Sequence, residues 1–239
     1  MECGRCGETC LNKLCMRKVP IFSSLGRDDL VHIASMIHHS EYQKGETLSS
    51  EGDGRGALVI VSEGSVKAFK VTPDGREQIL YVFSEGDFFG ERNLFGTQKT
   101  AYAVQALEPV KTCSFTRNHF HQLLYAHPEI AVKIIEELEE RMARMENALQ
   151  SMGVRSVDSR ISALLLDFAG KYGTAAPEGI LIRLPLSREG MASYLGIARE
   201  TMSRKLGQLE SEGAIRPVGN KSILVLDRGA LELSAGVPF

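Results

Sequence analysis

From about residue 20 to residue 115, short runs of alternating apolar and polar residues, among them ALVIVSEG, SVKAFKV and EQILYVF, are separated by turn sequences. Those turns are Lys44-Gly45, Glu51-Gly52-Asp53-Gly54, Glu63-Gly64, Pro73-Asp74-Gly75 and Glu85-Gly86-Asp87. Period-two, β-rich segments broken this closely predict an antiparallel barrel or sandwich, which we read as a β-roll over 20–118. The period then changes. Ile135, Leu138, Met142, Met145, Leu149 and Met152 follow one another in alternating steps of three and four, the a/d seam of one long helix over 119–153. The remaining positions, as in EELEERMARMEN, are strongly charged, so the pattern offers one apolar stripe and no second face to bury in its own domain. A stripe this narrow predicts a parallel two-helix homodimer; packing against the β-roll of the same chain is the alternative.

After Gly153, Ser156 and Asp158 mark a new helix start, and VDSRISALLLDFAGKYG reads as an amphipathic helix followed by a loop, TAAPEG. Ser187 then caps a short helix from Arg188 to Leu195, Gly196 supplies a tight turn, and a second helix runs from about Arg199 to Ser211. Beyond Gly213 come a strand, a Gly219-Asn220 turn and a second strand, SILVL. Helix, turn, helix, hairpin is the layout of a winged helix-turn-helix, assigned to 154–239. The fold class is α+β.

Composition changes this picture in two places. At 239 residues with 43% apolar content the chain has room for about two domains, without an apolar run near the roughly 20 residues that span a bilayer and without a basic-plus-apolar leader. A soluble cytoplasmic protein is expected. Net charge is −2, yet residues 181–221 carry seven basic side chains (Arg183, Arg188, Arg199, Arg204, Lys205, Arg216, Lys221) against four acids, a local excess of three positive charges. That asymmetry is compatible with nucleic-acid binding.

The second helix of such a motif points its N-terminal residues into the major groove. In ARETMSRK, Arg199, Glu200, Ser203 and Arg204 group on one side of the first turns while Met202, Leu206 and Leu209 face inward. Arginine can bond guanine O6 and N7, glutamate the cytosine amino group, and serine either. The stretch MASYLGIARETMSRKLGQLESEGAI resembles the helix-turn-helix of the Crp/Fnr family of bacterial transcription regulators, and the order β-roll, long dimer helix, winged helix-turn-helix matches that family over nearly the whole chain. The resemblance implies that the β-roll is cyclic-nucleotide-binding-like, a jelly roll, and that Glu200, Ser203 and Arg204 form the E-x-x-S-R signature of FNR-type members. Arg199 instead resembles the cyclic-AMP-dependent members. The implied partners are a palindromic double-stranded operator and RNA polymerase.

Many rolls of the family bind cyclic AMP around a G-E-L motif and a downstream Arg-Ser pair. In FFGERNLFGTQKTAYAV, Gly90 and Glu91 are present, while Lys99-Thr100 stands at the Arg-Ser position. Lysine is a point charge without the planar fork that pairs with phosphate oxygens, so cyclic AMP is not expected, a cyclic-nucleotide or other small-molecule effector is the alternative, and Gly86, Gly90 and Gly96 read as turn glycines.

A Cys-rich N-terminal arm, assigned to 1–19, carries CGRCGETCLNKLC, four cysteines (Cys3, Cys6, Cys10, Cys15) within thirteen residues, and the chain has one more, Cys113. In a reducing cytosol such a cluster points to metal or redox chemistry more than to a disulfide framework. Thiolates spaced C-x2-C can grip one metal centre, and Gly4 and Gly7 let the backbone fold closely around it. AVQALEPVKTCSF and NKLC resemble the FNR-type segments that carry the distant and the last N-terminal cluster ligands, which places Cys113 and Cys15 at ligand positions. The resemblance implies an oxygen-labile [4Fe–4S] cluster on Cys3, Cys6, Cys15 and Cys113, with Cys10 as the alternative ligand. The spacing departs from the family: Cys3, Cys6 and Cys15 give C-x2-C-x8-C where FNR-type members have C-x2-C-x5-C. CMRKVPIF also resembles cluster-free FNR-like proteins, which imply a Cys15–Cys113 disulfide, and four cysteines also suit a zinc site. A cupin-like metalloenzyme would need histidines converging inside the barrel. His32, His38, His39, His119, His121 and His127 all read as lying in helical or flanking segments, so no enzyme is expected.

Overall fold

The computed structural model describes residues 19–54, 56–95, 99–154 and 156–236; for 93, 95 and 147–154 only the backbone is described. Cys3, Cys6, Cys10 and Cys15 lie outside the described residues, as do Gly96 and the side chains of Leu149 and Met152.

A 3-10 turn at Pro20–Phe22 leads into α1 (Arg27–Met36) and the strands β1 (His38–Tyr42), β2 (Thr47–Ser49), β3 (Ala57–Glu63), β4 (Ser65–Val71), β5 (Glu77–Ser84) and β6 (Phe88–Phe89). A short α2 (Arg92–Phe95) precedes β7 (Ala103–Ala106) and β8 (Val110–Thr116). The strands form two four-stranded antiparallel sheets, β1-β8-β3-β6 and β2-β7-β4-β5, so the predicted β-roll is present. One core fills the roll interior: Val61, Val66, Ala68, Phe83, Phe89, Val104 and Val110. A second lies on the other face of the first sheet, where Val19, Ile21, Phe22, Leu30, Ile33, Cys113, Phe115, Phe120, Ile130 and Ile134 pack together. Helix α1 escapes the strand pattern because it is short and buries only Leu30 and Ile33. His38 and His39 lie on β1, which corrects the placement of all six histidines outside the strands; HHSEY is too polar to show apolar alternation.

The helix expected over 119–153 is two helices, α3 (Arg117–Ala126) and α4 (Pro128–Val154). Pro128 cannot donate to a preceding turn and biases the residue before it away from helical geometry; His127 sits at φ −133°, ψ 75°, and Pro128 starts α4. The seam is also only partly as expected. Ile135, Met142 and Met145 are exposed, but Leu138 packs against the core of its own unit, and a second face carrying Ile130, Ile134 and Arg141 is buried there. The long helix thus has two committed faces, one of them built around a charged residue.

The chain divides into two compact units, with α4 passing from the first into the second at Met142 and Ala143. The second unit holds α5 (Val157–Tyr172), β9 (Gly173–Ala176), β10 (Gly179–Arg183), α6 (Arg188–Leu195), α7 (Arg199–Ser211), β11 (Ile215–Val218), β12 (Ser222–Val225) and α8 (Arg228–Ala235). The expected TAAPEG loop is the hairpin β9–β10, which extends the wing into the sheet β11-β12-β10-β9, and α8 is a helix the sequence pattern did not reveal. Ile161, Leu165, Phe168, Met191, Met202, Leu206, Ile223 and Leu231 form the buried interior of this unit.

Candidate nucleic-acid interface and sensor residues

The helix-turn-helix is set by local chemistry at its two ends. The Ser187 hydroxyl accepts the Gly190 N–H at 3.1 Å, closing the first turn of α6. Gly196 takes the left-handed conformation, φ +65°, and its N–H returns to the Ala192 and Ser193 carbonyls. Met202 and Leu206 then seat α7 in the core, and this orientation turns the opposite face outward. Arg199, Glu200 and Arg204 are exposed and Ser203 half-buried, none of them with a hydrogen bond or ion pair among the described residues. All four predicted reading residues therefore share the open side of one helix, donors and acceptors uncommitted. Lys205 is the contrast: its Nζ lies 2.7 and 2.8 Å from the two carboxylate oxygens of Asp158 on α5. Arg216 of the wing pairs with Glu178 at the tip of the β9–β10 hairpin.

In the first unit, Cys113 sits on β8 opposite His39 of β1 and Ile60 of β3, 1% exposed. Its Sγ lies 3.4 Å from His39 Nδ1, and burial, followed by the neighbouring His38, holds the His39 imidazole below its ordinary pKa. Val19, the first described residue, belongs to the same buried cluster as Cys113. His119 and His121 each pair a ring nitrogen with a backbone carbonyl, Met36 and Leu94 respectively.

The segment after Gly90 adopts a strict local geometry. Gly90 has φ +91°, and a Cβ there would meet the Ala57 carbonyl oxygen at 2.3 Å, so no other residue fits without backbone movement. Glu91 follows, its Oε2 3.9 Å from Nη1 of Arg141 on α4. Arg141 is only 10% exposed; it donates to the Phe88 carbonyl at 2.8 Å, pairs with Glu137 at 3.2 Å and lies over the rings of Phe88 and Phe83 at 4.5 and 5.2 Å. Tyr102 nearby has its hydroxyl pKa pushed up, by burial first and then by Glu91. Lys99 points to solvent, and the Thr100 hydroxyl is spent on the Asp53 carbonyl at 2.8 Å.

Two family models match the chain: a cyclic nucleotide-binding domain over residues 39–127 and a Crp-like helix-turn-helix domain over 159–233. The nitrogen fixation regulation protein FixK of Bradyrhizobium diazoefficiens is 30% identical over 220 residues, 92% of this chain and 91% of the relative. This chain belongs to the Crp/Fnr family of transcription regulators. Also similar to this Crp/Fnr regulator is the CRP-like cAMP-activated global transcriptional regulator of Mycobacterium tuberculosis, 26% identical over 89% of the chain and 94% of the relative. Among solved structures, a mutant of CooA from Carboxydothermus hydrogenoformans superposes with a TM-score of 0.77 at 20% identity, covering 91% of this chain and 95% of that one, and bears on the fold alone.

Membership makes the molecule a DNA-binding regulator rather than an enzyme. Among the described residues no helix is long and apolar enough to cross a membrane. Sequence reasoning on this Crp/Fnr regulator missed Arg141, His39 and Asp158. The first was hidden in a charged run read as solvated, the second in a polar strand, and the third was read only as a helix start.

Proposed function

We propose that this Crp/Fnr regulator is a cytoplasmic redox sensor that binds a palindromic site as a homodimer and engages RNA polymerase there. The sensor group we assign is a [4Fe–4S] cluster held by Cys3, Cys6, Cys15 and Cys113, with Cys10 in reserve. The observation that carries this reading is the shared burial of Val19 and Cys113 in one cluster. Cys15 lies four residues before Val19, which bounds its distance from Val19 at about 14 Å and ties that end of the arm to the cluster that holds Cys113. A buried thiol on an interior strand, between β1 and β3, suits a soft, water-excluded ligand position. When bound, the cluster would supply a crosslink between arm and roll that oxidants destroy.

The chain's own residues then carry the effect. Cys113 shares a buried cluster with Phe120 of α3 and Ile130 and Ile134 of α4, and α4 exposes Ile135, Met142 and Met145 as its unburied stripe. Methionine packs adaptably, so a seam rich in it is responsive to small changes in the helix that bears it. Docking two such stripes would present two reading helices to two half-sites. Effectors differ among relatives, the M. tuberculosis one being named as cAMP-activated. Here an exposed Lys99 and a committed Thr100 hydroxyl favour an effector other than cyclic AMP.

A second reading is a Cys15–Cys113 disulfide switch. Among the described residues no three His, Cys, Asp or Glu side chains converge as a metal site, so a cluster must draw its other ligands from the arm, whereas a disulfide needs one thiol there. The two part company in a visible spectrum of the chain purified without oxygen, with iron and sulfide counted before and after exposure to air. About four irons per chain and a visible band that bleaches in air uphold the cluster. A colourless, iron-free chain overturns it and leaves the disulfide, detected by mass spectrometry after oxidation, or a zinc site.

A further inference from the structure

The reading helix carries a third basic side chain beside its two free arginines, and its surroundings differ in kind. An ammonium has three protons to donate. Lys205 Nζ donates to Asp158 Oδ2 at 2.8 Å and to Gln208 Oε1 at 3.2 Å, while Asp158 Oδ1, 2.7 Å away, faces the ammonium as an ion-pair atom without a hydrogen bond. Its side chain is 23% exposed, whereas Arg199 and Arg204 stand in solvent. Asp158 is in the first turn of α5, where the helix dipole also favours a carboxylate, and it stands 47 residues from its partner. Two residues on, Arg160 donates to the Leu195 carbonyl at 3.1 Å, at the last turn of α6. One turn of α5 therefore holds both helices of the DNA-binding motif. Asp158 and Lys205 themselves line a small surface pocket of about 80 Å³, together with Ile161, Ser162, Leu209 and Ser234.

We infer that Asp158 and Lys205 are positioning residues for DNA recognition: the pair fixes the roll of α7 about its axis, and Lys205 is not itself a phosphate contact. A hydrogen-bonded ion pair on the flank of α7 opposes rotation, and the rotation of α7 decides whether Arg199 and Arg204 reach base edges. A helix free to turn keeps its charge, so it keeps its non-specific attraction for DNA while losing register on the bases. The inference rests on the DNA-binding role of the family and not on the cluster.

Its test uses the full chain and two duplexes, one that the wild type isolates from a randomised pool and a scrambled duplex of equal length. Lys205→Met and Asp158→Asn are each expected to weaken binding to the isolated duplex about fivefold, to leave binding to the scrambled one and the salt dependence unchanged, and to be non-additive in the double variant. If Lys205 contacts a phosphate, Lys205→Met weakens both duplexes and lowers the salt slope by about 0.9, which overturns the inference. Thermal-unfolding midpoints of the four chains give the coupling without DNA, and additive midpoints overturn it as well. A wild type that isolates no sequence overturns the DNA-binding assignment instead, and the thermal cycle still decides the pair.

Discussion

Arg141 and Arg204 bring the same guanidinium to two regions of the chain and meet opposite surroundings. Arg204, on the outer face of α7, is exposed and has no partner among the described residues. Arg141, on α4, is enclosed by two phenyl rings, two carboxylates and a backbone carbonyl. A free guanidinium keeps its five donors for a partner outside the chain; the enclosed Arg141 commits two of them, and its ring-stacked plane, inside. The difference separates a side chain that serves recognition from one that serves architecture. It also implies that each can be removed with little effect on the other's role.

Removing Arg141 tests the architectural side and has the largest expected effect. Arg141→Ala removes the donor to Glu137 and to the Phe88 carbonyl and leaves the half-buried Glu91 carboxylate without its facing positive charge, a loss on the order of 3 kcal/mol and a fall in melting temperature on the order of 10 °C. Arg141→Lys recovers only part, because an ammonium neither stacks on Phe88 nor bridges two carboxylates with one plane. Calorimetry of both variants checks this, and an Arg141→Ala midpoint equal to wild type would break the comparison. Arg204→Ala is the counterpart. It should shift stability by less than about 0.5 kcal/mol while costing about 2 kcal/mol of binding to a specific duplex, read by gel shift against a scrambled control.

How far the chain could be read in advance follows the same division. Ser187, Gly196 and the limits of α7 were legible because a cap, a left-handed glycine and an amphipathic step are local, each decided within four residues. The exposed residues of α7 were legible for the same reason. Arg141 was not: in EELEERMARMEN it is one charge among many, and only Phe83, Phe88 and Glu91, some fifty residues away, distinguish it. Lys205 and Asp158 are likewise paired by tertiary structure. The a/d spacing of α4 was real, but it overstated the stripe, since Leu138 turns toward the unit's own core and Ile130 and Ile134 add a second apolar face. The hairpin β9–β10 was hidden by Pro177, Glu178 and Gly179, which are loop-like in isolation and form a strand-closing turn here.

The exposed stripe gives a smaller and separable effect. Met142 stands next to Arg141 in sequence yet is 57% exposed, so Met142→Glu should leave the unfolding midpoint of the dilute protein close to wild type. If the stripe is the dimer seam, the same change puts a carboxylate opposite its symmetry mate and weakens the dimer about tenfold, read by sedimentation across a concentration series. Unchanged association would show that the stripe meets something other than a second copy.

Ser187→Ala has the smallest expected effect and sharpens the comparison most finely, because it touches neither arginine. Its hydroxyl accepts a single N–H, that of Gly190, and alanine leaves that donor to water, since the position is exposed. The expected loss is about 1 kcal/mol of stability. A loosened first turn of α6 does not alter the residues that α7 shows to DNA, so specific affinity should fall by less than for Arg204→Ala while the preferred sequence stays the same. A change in sequence preference would mean that the α6 cap sets the reading position of α7, and recognition would then depend on architecture one helix away from the bases.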